Sequence, residues 1–438
     1  MTEPPRGWIV AAPCSNSGKT LVSAALLRLL TRDGTAVTPY KAGPDYIDPG
    51  FLSAAAGTMC RNLDPWAMNS ARLGRLLREQ SGSRFLIEGV MGLFDGAVSG
   101  FGSTADLAVE FGLPVILAIN TKGQGASVAA LARGFANFRA DVDVAGVIFT
   151  RVSSARHEKI LRDSCAKAGI RVFGALADDP VLKLAGRHLG LVQANERADL
   201  DKLLERAANS LEEDLDLSGL RDIAAAPSIE NTGPATPLRP LGRRIAVARD
   251  IAFGFCYPHI LDDWRDAGAR ISFFSPLADE APARDSDAVY LPGGYPELHA
   301  GTLSGNKNFL RGLQDAASRD AVILGECGGY MVLGRGVVDA DGQNHEMAGL
   351  LDLETTFAQP RLHLGYRQAA LRADCVLGAA RSEFRAHEFH YANVTREEGE
   401  HLFAVRDALG EHGDDVGLVS GKIMGSFIHL IDRVSQTP

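Results

Sequence analysis

Short apolar runs rich in β-branched residues alternate with helical patterns from the start of the chain. The runs are WIVAAP at 8–13, AVTPYKA at 36–42, FLIEGV at 85–90, VILAIN at 115–120 and AGVIFT at 145–150. Runs of this kind separated by helices predict an α/β domain built on a mainly parallel sheet, because strands covered on both faces are apolar on both. LVSAALLRLL at 21–30 and the charged LDKLLERAANSLEEDL at 200–215 predict helices. AAAPSIENTGPATPLRP at 224–240 then carries four prolines and no apolar periodicity, as a linker does. A second series follows with RIAVARD at 244–250, RISFFSP at 270–276, AVYLPGG at 288–294 and AVILGEC at 321–327. The predicted organisation is an α/β domain over residues 1–223, a linker over 224–242 and a second α/β domain over 243–438.

Size agrees with that division: 438 residues, at about 150 per domain, make two or three domains. Hydrophobic residues at 46% and charged residues at 23% exclude wholesale disorder. A net charge of −9 offers no global field for nucleic acid or an anionic membrane, so an anionic ligand must be held by local groups. No stretch reaches the roughly 18 apolar residues of a membrane span, and the N-terminus lacks a basic region ahead of an apolar core, so a cytoplasmic location is expected. The six cysteines include no C-x-x-C pair, which predicts neither a disulfide framework nor a zinc ribbon.

The first strand runs into APCSNSGKT and then a helix, the context that makes a G-K-T string a phosphate loop. Backbone N–H groups and the positive end of the helix would face phosphates, Lys19 would add charge at the outer phosphates, and the Thr20 hydroxyl would ligate Mg²⁺. Ser15, Ser17, Gly18, Lys19 and Thr20 are therefore the candidate ATP-binding residues. Pro13 stands where the common pattern has its first glycine, which makes this a variant loop. Two acidic loops leave neighbouring strands: Lys41-Ala42-Gly43-Pro44-Asp45-Tyr46-Ile47-Asp48-Pro49 and Glu88-Gly89-Val90-Met91-Gly92-Leu93-Phe94-Asp95-Gly96. In open α/β sheets ligands collect at the carboxyl ends of the strands. Lys41, Asp45, Asp48 and Asp95 are thus candidates for substrate or metal handling, and Thr20, Asp48 and Glu88 for Mg²⁺, which takes a few carboxylates alongside phosphate oxygens.

In the second half Cys327 ends a strand and Gly328-Gly329-Tyr330-Met331 follows, the setting of a nucleophile on a sharp strand-to-helix turn whose thiolate the helix start favours. His429 is the candidate general base, and the Gly294 and Gly328 N–H groups are candidate oxyanion donors. Alternation along the strand containing His387 and His390 sends the two to opposite faces, against a shared metal, leaving structural and substrate-facing roles open. His345 and Glu346 are read as solvated.

The strings S-x-S-G-K-T, K-A-G-P-D-Y-I-D-P, N-L-D-P-W-A-M, I-E-G-V-M-G-L-F-D-G, L-P-G-G-Y-P-E, G-E-C-G-G-Y-M and H-E-F-H-Y occur in this order over nearly the whole chain. In them the chain resembles the cobyrinic or hydrogenobyrinic acid a,c-diamide synthases of cobalamin biosynthesis. The resemblance implies a phosphate-loop domain like dethiobiotin synthetase, followed by a triad-type (class I) glutamine amidotransferase α/β domain. It also implies ATP, Mg²⁺, glutamine and a corrin ring carboxylate as the reacting partners. Lys19 and Thr20 match the family's phosphate loop; Asp45, Asp48, Glu88 and Asp95 match its acidic positions; Cys327 matches the nucleophile and His429 the base. The glutamate that many triad amidotransferases carry two residues after the histidine is Ile431 here, and Asp432 falls on the wrong face of an extended chain, so the reading is a Cys/His dyad.

Such an enzyme would activate a carboxylate as an acyl phosphate and release ammonia from glutamine at Cys327, with a sheltered route for ammonia expected between the domains. The nearest alternative is a cobyric acid synthase-like enzyme acting on other side chains of the ring. From another class comes a nucleotide switch with a degenerate glutaminase, against which the intact Cys327 and His429 argue. N-L-D-P-W-A-M is closer to the aerobic, hydrogenobyrinate branch. A homo-oligomer is compatible with the sequence, which does not determine the oligomeric state.

Overall fold

In the computed structural model, residues 4–79, 82–182, 186–187, 190–230, 233 and 235–434 are described. The chain divides into two units, Met1–Ala235 and Thr236–Pro438. Residues at the start of the expected linker pack on the first unit: Ala225 and Gly7 exchange backbone hydrogen bonds of 2.9 and 3.0 Å, and the Ser228 N–H donates to Phe111 O at 2.9 Å. Further along, Thr236 Oγ1 donates to Arg433 O at 2.6 Å in the second unit.

The apolar runs of the first unit form one seven-stranded sheet. Its strands are β1 (Arg6–Ala11), β2 (Val37–Ala42), β3 (Arg61–Leu63), β4 (Arg84–Glu88), β5 (Val115–Asn120), β6 (Val144–Val152) and β7 (Val172–Ala177). The spatial order is β3-β2-β4-β1-β5-β6-β7, with every pairing parallel. Trp8, Ile9, Val10, Phe85, Leu86 and Ile87 are fully buried, as expected where helices cover both faces. Helix α1 (Lys19–Arg32) presses Val22, Ala25, Leu26, Leu29 and Leu30 into that core. Each buried Leu or Ile contributes about 1.5–3 kcal/mol, which anchors the loop preceding the helix. The carboxyl ends of β1, β2 and β4 lie side by side, so the phosphate loop and both acidic loops open at the same sheet edge.

The second unit departs from the simple α/β expectation. Its ten-stranded sheet begins with five mutually parallel strands in the spatial order 270–274, 244–248, 288–291, 322–326 and 423–426. It continues antiparallel through 412–420, 400–407, 363–371, 383–390 and 428–433. Phe427 alone separates the central strand 423–426 from the edge strand 428–433, so the sheet curls round to bring its edge back beside its centre. A second sheet of four strands contains 344–346. There the solvated reading of His345 is corrected: its ring is buried and Nε2 lies 2.7 Å from Asp339 Oδ2, whereas Glu346 is exposed. A neighbouring carboxylate supplies the polar partner that a buried imidazole requires. No helix among the described residues is long and apolar enough to cross a membrane.

Candidate functional site

The loop after β1 turns at Gly18, the N-cap of α1, with φ 91°. Ser17 Oγ donates to Cys14 O at 2.8 Å and Thr150 Oγ1, on β6, donates to Ser17 O at 2.7 Å, fixing the loop from within and from the sheet. Ser15 is exposed on it. Lys19 Nζ is buried and donates to Met91 O at 2.7 Å. Burial, followed by the charge of Lys41, lowers its pKa.

Beside it, Lys41 Nζ donates to Asp48 Oδ2 at 2.6 Å, to Glu88 Oε1 at 2.8 Å and to Gly89 O at 3.2 Å, and stands 3.6 Å from Asp45 Oδ2. Thr20 Oγ1 donates to the same Glu88 oxygen at 2.8 Å. Four of the sequence candidates therefore meet Thr20 in one buried knot. Asp45 Oδ1 also accepts from the N–H groups of Ile47 and Asp48, at 2.8 and 3.1 Å, and so shapes its own loop. Asp95 stands apart, exposed, with Oδ2 accepting from Gly92 N–H at 2.9 Å. Burial raises the pKa of Glu88 to about 7 and, with the charge of Asp48, that of Asp45 to about 6. Burial also acts on Asp48, but Lys41 outweighs it and holds that carboxyl low. Glu88 Oε2 is buried with no hydrogen-bond partner among the described residues. An orphaned carboxylate oxygen next to a threonine hydroxyl and Asp48 fits a hard divalent cation.

The second unit builds its centre on Cys327, at the turn between strand 322–326 and the short helix 328–333. Cys327 has φ 48°, a left-handed value strained for a side chain with a Cβ and typical of a nucleophile turned out of a strand. Gly293 shows how the candidate base comes near it: a Cβ there would lie 2.4 Å from His429 Cε1 and 3.3 Å from Cys327 Cβ, so the missing side chain leaves room for the imidazole beside the cysteine. The Gly294 nitrogen lies 3.2 Å from where a Cβ on Gly328 would stand, bringing the two expected oxyanion donors together. At rest Cys327 Sγ donates to Phe389 O at 3.7 Å. Burial, then the charge of Glu297, pushes the thiol pKa up, overriding the thiolate preference expected from the helix start. Burial, then His387 and His390, pushes His429 down to about 3. The pair rests neutral.

His387 lies in register with His429 across the strand pair, whereas His390 belongs to a different group. His390 Nε2 is 2.9 Å from Glu388 Oε1, and its ring stacks on those of Phe427 and His363. Arg367 donates to Glu388 at 2.6 and 2.8 Å. Although His363, Glu388 and His390 bring potential ligand atoms within 4.8 Å of one another, Glu388 is already engaged by arginine.

Two family models match the chain. One is described as the CobQ/CobB/MinD/ParA nucleotide binding domain and covers residues 8–192. The other, the CobB/CobQ-like glutamine amidotransferase domain, covers residues 244–435. A hydrogenobyrinate a,c-diamide synthase of Brucella suis is 52% identical over 98% of this chain and 98% of its own length. The synthases of that name from Rhizobium meliloti and Rhodobacter capsulatus are 51% and 48% identical, over 97% and 98% of this chain and 99% and 100% of their own. The chain belongs to the hydrogenobyrinate a,c-diamide synthase family. It thus joins a nucleotide-binding domain to a glutamine amidotransferase domain.

Several residues around the family's two sites were not singled out by sequence reasoning. Asn62, the first residue of N-L-D-P-W-A-M, is buried and donates to the carbonyls of Gly43 and Asp45 at 2.9 and 2.7 Å, so that string braces the first acidic loop. Thr150 and Gly293 act through packing across the fold, and Arg367 through an ion pair. Glu326, in the string G-E-C-G-G-Y-M, had a detectable signal: a carboxylate in a strand otherwise apolar.

Proposed function

We propose that the chain amidates the a and c acetate side chains of hydrogenobyrinic acid, using ATP and glutamine. The observation that carries this reading is the coexistence, on one chain, of a phosphate loop beside a buried carboxylate knot and a cysteine beside a buried histidine in a glycine cradle. In the first unit the Gly18–Thr20 backbone, Lys19 and α1 would bind the phosphates. Thr20, Asp48 and Glu88 would hold Mg²⁺, which when bound neutralises charge on the phosphates and polarises them. A ring carboxylate oxygen attacks the γ-phosphorus, ADP leaves, and an acyl phosphate forms. Lys19 and Lys41 supply positive charge along this path.

In the second unit His429 accepts the Cys327 proton as sulfur bonds to the glutamine amide carbon, and the Gly294 and Gly328 N–H groups receive the oxyanion. His429 returns the proton to the departing nitrogen, ammonia leaves, and water hydrolyses the thioester to glutamate. Ammonia then displaces phosphate from the acyl phosphate to leave the amide. Mass spectrometry of products from hydrogenobyrinate and cobyrinate, offered separately with ATP, Mg²⁺ and glutamine, tests the reading. The expected result is conversion of hydrogenobyrinate to a diamide with both amides on acetate arms. Amidation of propionate arms, or glutamine hydrolysis with no corrin product, would overturn it.

A further inference from the structure

The position two residues beyond His429, where a triad amidotransferase carries its third member, is Ile431, buried in the core. The adjacent Asp432 caps its own strand end, with Oδ1 accepting from Arg433 N–H at 3.1 Å. A carboxylate nevertheless faces the base from another direction. Glu326, the residue before the nucleophile, is buried, and its Oε2 lies 3.9 Å from His429 Nδ1. Tyr290 O–H donates to Oε2 at 2.7 Å and Leu430 N–H donates to Oε1 at 3.2 Å. Both neighbours are donors and favour the acceptor-only, ionised carboxylate against the opposing effect of burial.

When His429, fully buried, takes the Cys327 proton, it becomes an imidazolium beyond the reach of solvent. A buried charge without a counter-ion is strongly disfavoured. The neighbouring His387 and His390 disfavour that charge further, and Glu388 is committed to Arg367 and His390. We propose that Glu326 is the positioning residue of the glutaminase: at ion-pair distance from Nδ1 it stabilises the His429 imidazolium, replacing from the nucleophile's side the carboxylate missing after the histidine. The sequence places the nucleophile and its base's counter-ion on adjacent residues. Cys327 lies past the strand end, at φ 48°, and Phe427 alone joins the strand paired with Glu326 to the strand that carries His429.

The inference rests on the glutaminase reading of Cys327, and its test is glutamine hydrolysis by the full chain. In Glu326→Gln, kcat should fall about a hundredfold while KM for glutamine stays within about threefold, the signature of a contact realised only in the transition state. Glu326→Asp should recover part of the loss. The pH profile gives a second readout. Burial raises the Glu326 pKa to about 7, with Tyr290, Cys256, Cys327 and His429 as the titratable groups around it. Wild-type hydrolysis should therefore fall as pH drops through about 7 and the carboxylate is protonated, and Glu326→Gln should lose that limb. Iodoacetamide capture of Cys327 checks the site's integrity, because loosening would speed alkylation of a thiol only 3% exposed. An unchanged kcat, or a loss accompanied by faster alkylation or a rise in KM alone, overturns the assignment. Absence of hydrolysis in the wild type would instead overturn the glutaminase reading itself.

Discussion

Cys327, the proposed nucleophile, is kept as a thiol. Its burial raises its pKa, the burial of His429 lowers that base to about 3, and the resting sulfur donates to Phe389 O rather than holding a charge. In the proposed reaction the proton moves only when a substrate carbonyl gives sulfur a bond to form. Cys327→Ser should then abolish glutamine-dependent synthesis by on the order of a thousandfold or more, since serine in the same place is a far weaker nucleophile without a thiolate's reach. Synthesis from added ammonium salts should continue, because acyl phosphate chemistry belongs to the other unit. Parallel rate measurements with glutamine and with ammonium chloride check this, and equal loss of both rates in a folded variant would sink the two-site account. Cys327 could be picked out as a candidate because its signal is local in sequence: a strand ending in cysteine, then glycines. Glu326 was less legible because its partners, Tyr290 and Leu430, lie 36 and 104 residues away.

The acidic loops after β2 and β4 are held by one ammonium group. Lys41 is 2% exposed and bonds to Asp48 and Glu88, so that cation offsets much of their charge. Replacing it in Lys41→Met leaves buried carboxylates without a counter-ion, which costs about 3–5 kcal/mol. In a unit of this size that lowers the melting midpoint by about 10 °C. Mg²⁺ binding to the same carboxylates should offset the loss, so the variant's midpoint should rise more with added MgCl₂ than the wild type's. Thermal melts with and without MgCl₂ measure it, and equal shifts in both proteins would remove these carboxylates from the cation site. The loops and the parallel strands could be read from sequence, since strands buried on both faces are continuous apolar runs. Strand 363–371 could not, and 383–390 could be read only around its histidines: HLGYRQAAL and EFRAHEFH carry polar residues that pair with one another, as Arg367 does with Glu388, which breaks the apolar signature.

On the scale of the whole molecule the chain must place two amides on one substrate through a single phosphoryl-transfer centre, so two different carboxylates must visit the same place in turn. The four acidic residues that the sequence grouped together divide in the structure. Glu88 and Asp48 hold Lys41, Asp45 also caps its own loop, and Asp95 stands exposed on the loop whose Met91 carbonyl receives Lys19. In the proposed reaction a group in the first set would bear on phosphoryl transfer to either carboxylate, while a group at the rim would touch the two substrate poses unequally. Glu88→Gln should therefore slow the first amidation by on the order of a hundredfold or more, leaving mostly unreacted substrate. Asp95→Asn should leave the first step within a fewfold of wild type and slow the second, so that monoamide accumulates. Time courses resolving substrate, monoamide and diamide by mass distinguish the two patterns. If Asp95→Asn gives the wild-type ratio of monoamide to diamide throughout, the rim carboxylate has no part in presenting the second arm, and the turn between amidations must be guided by residues outside the acidic loops.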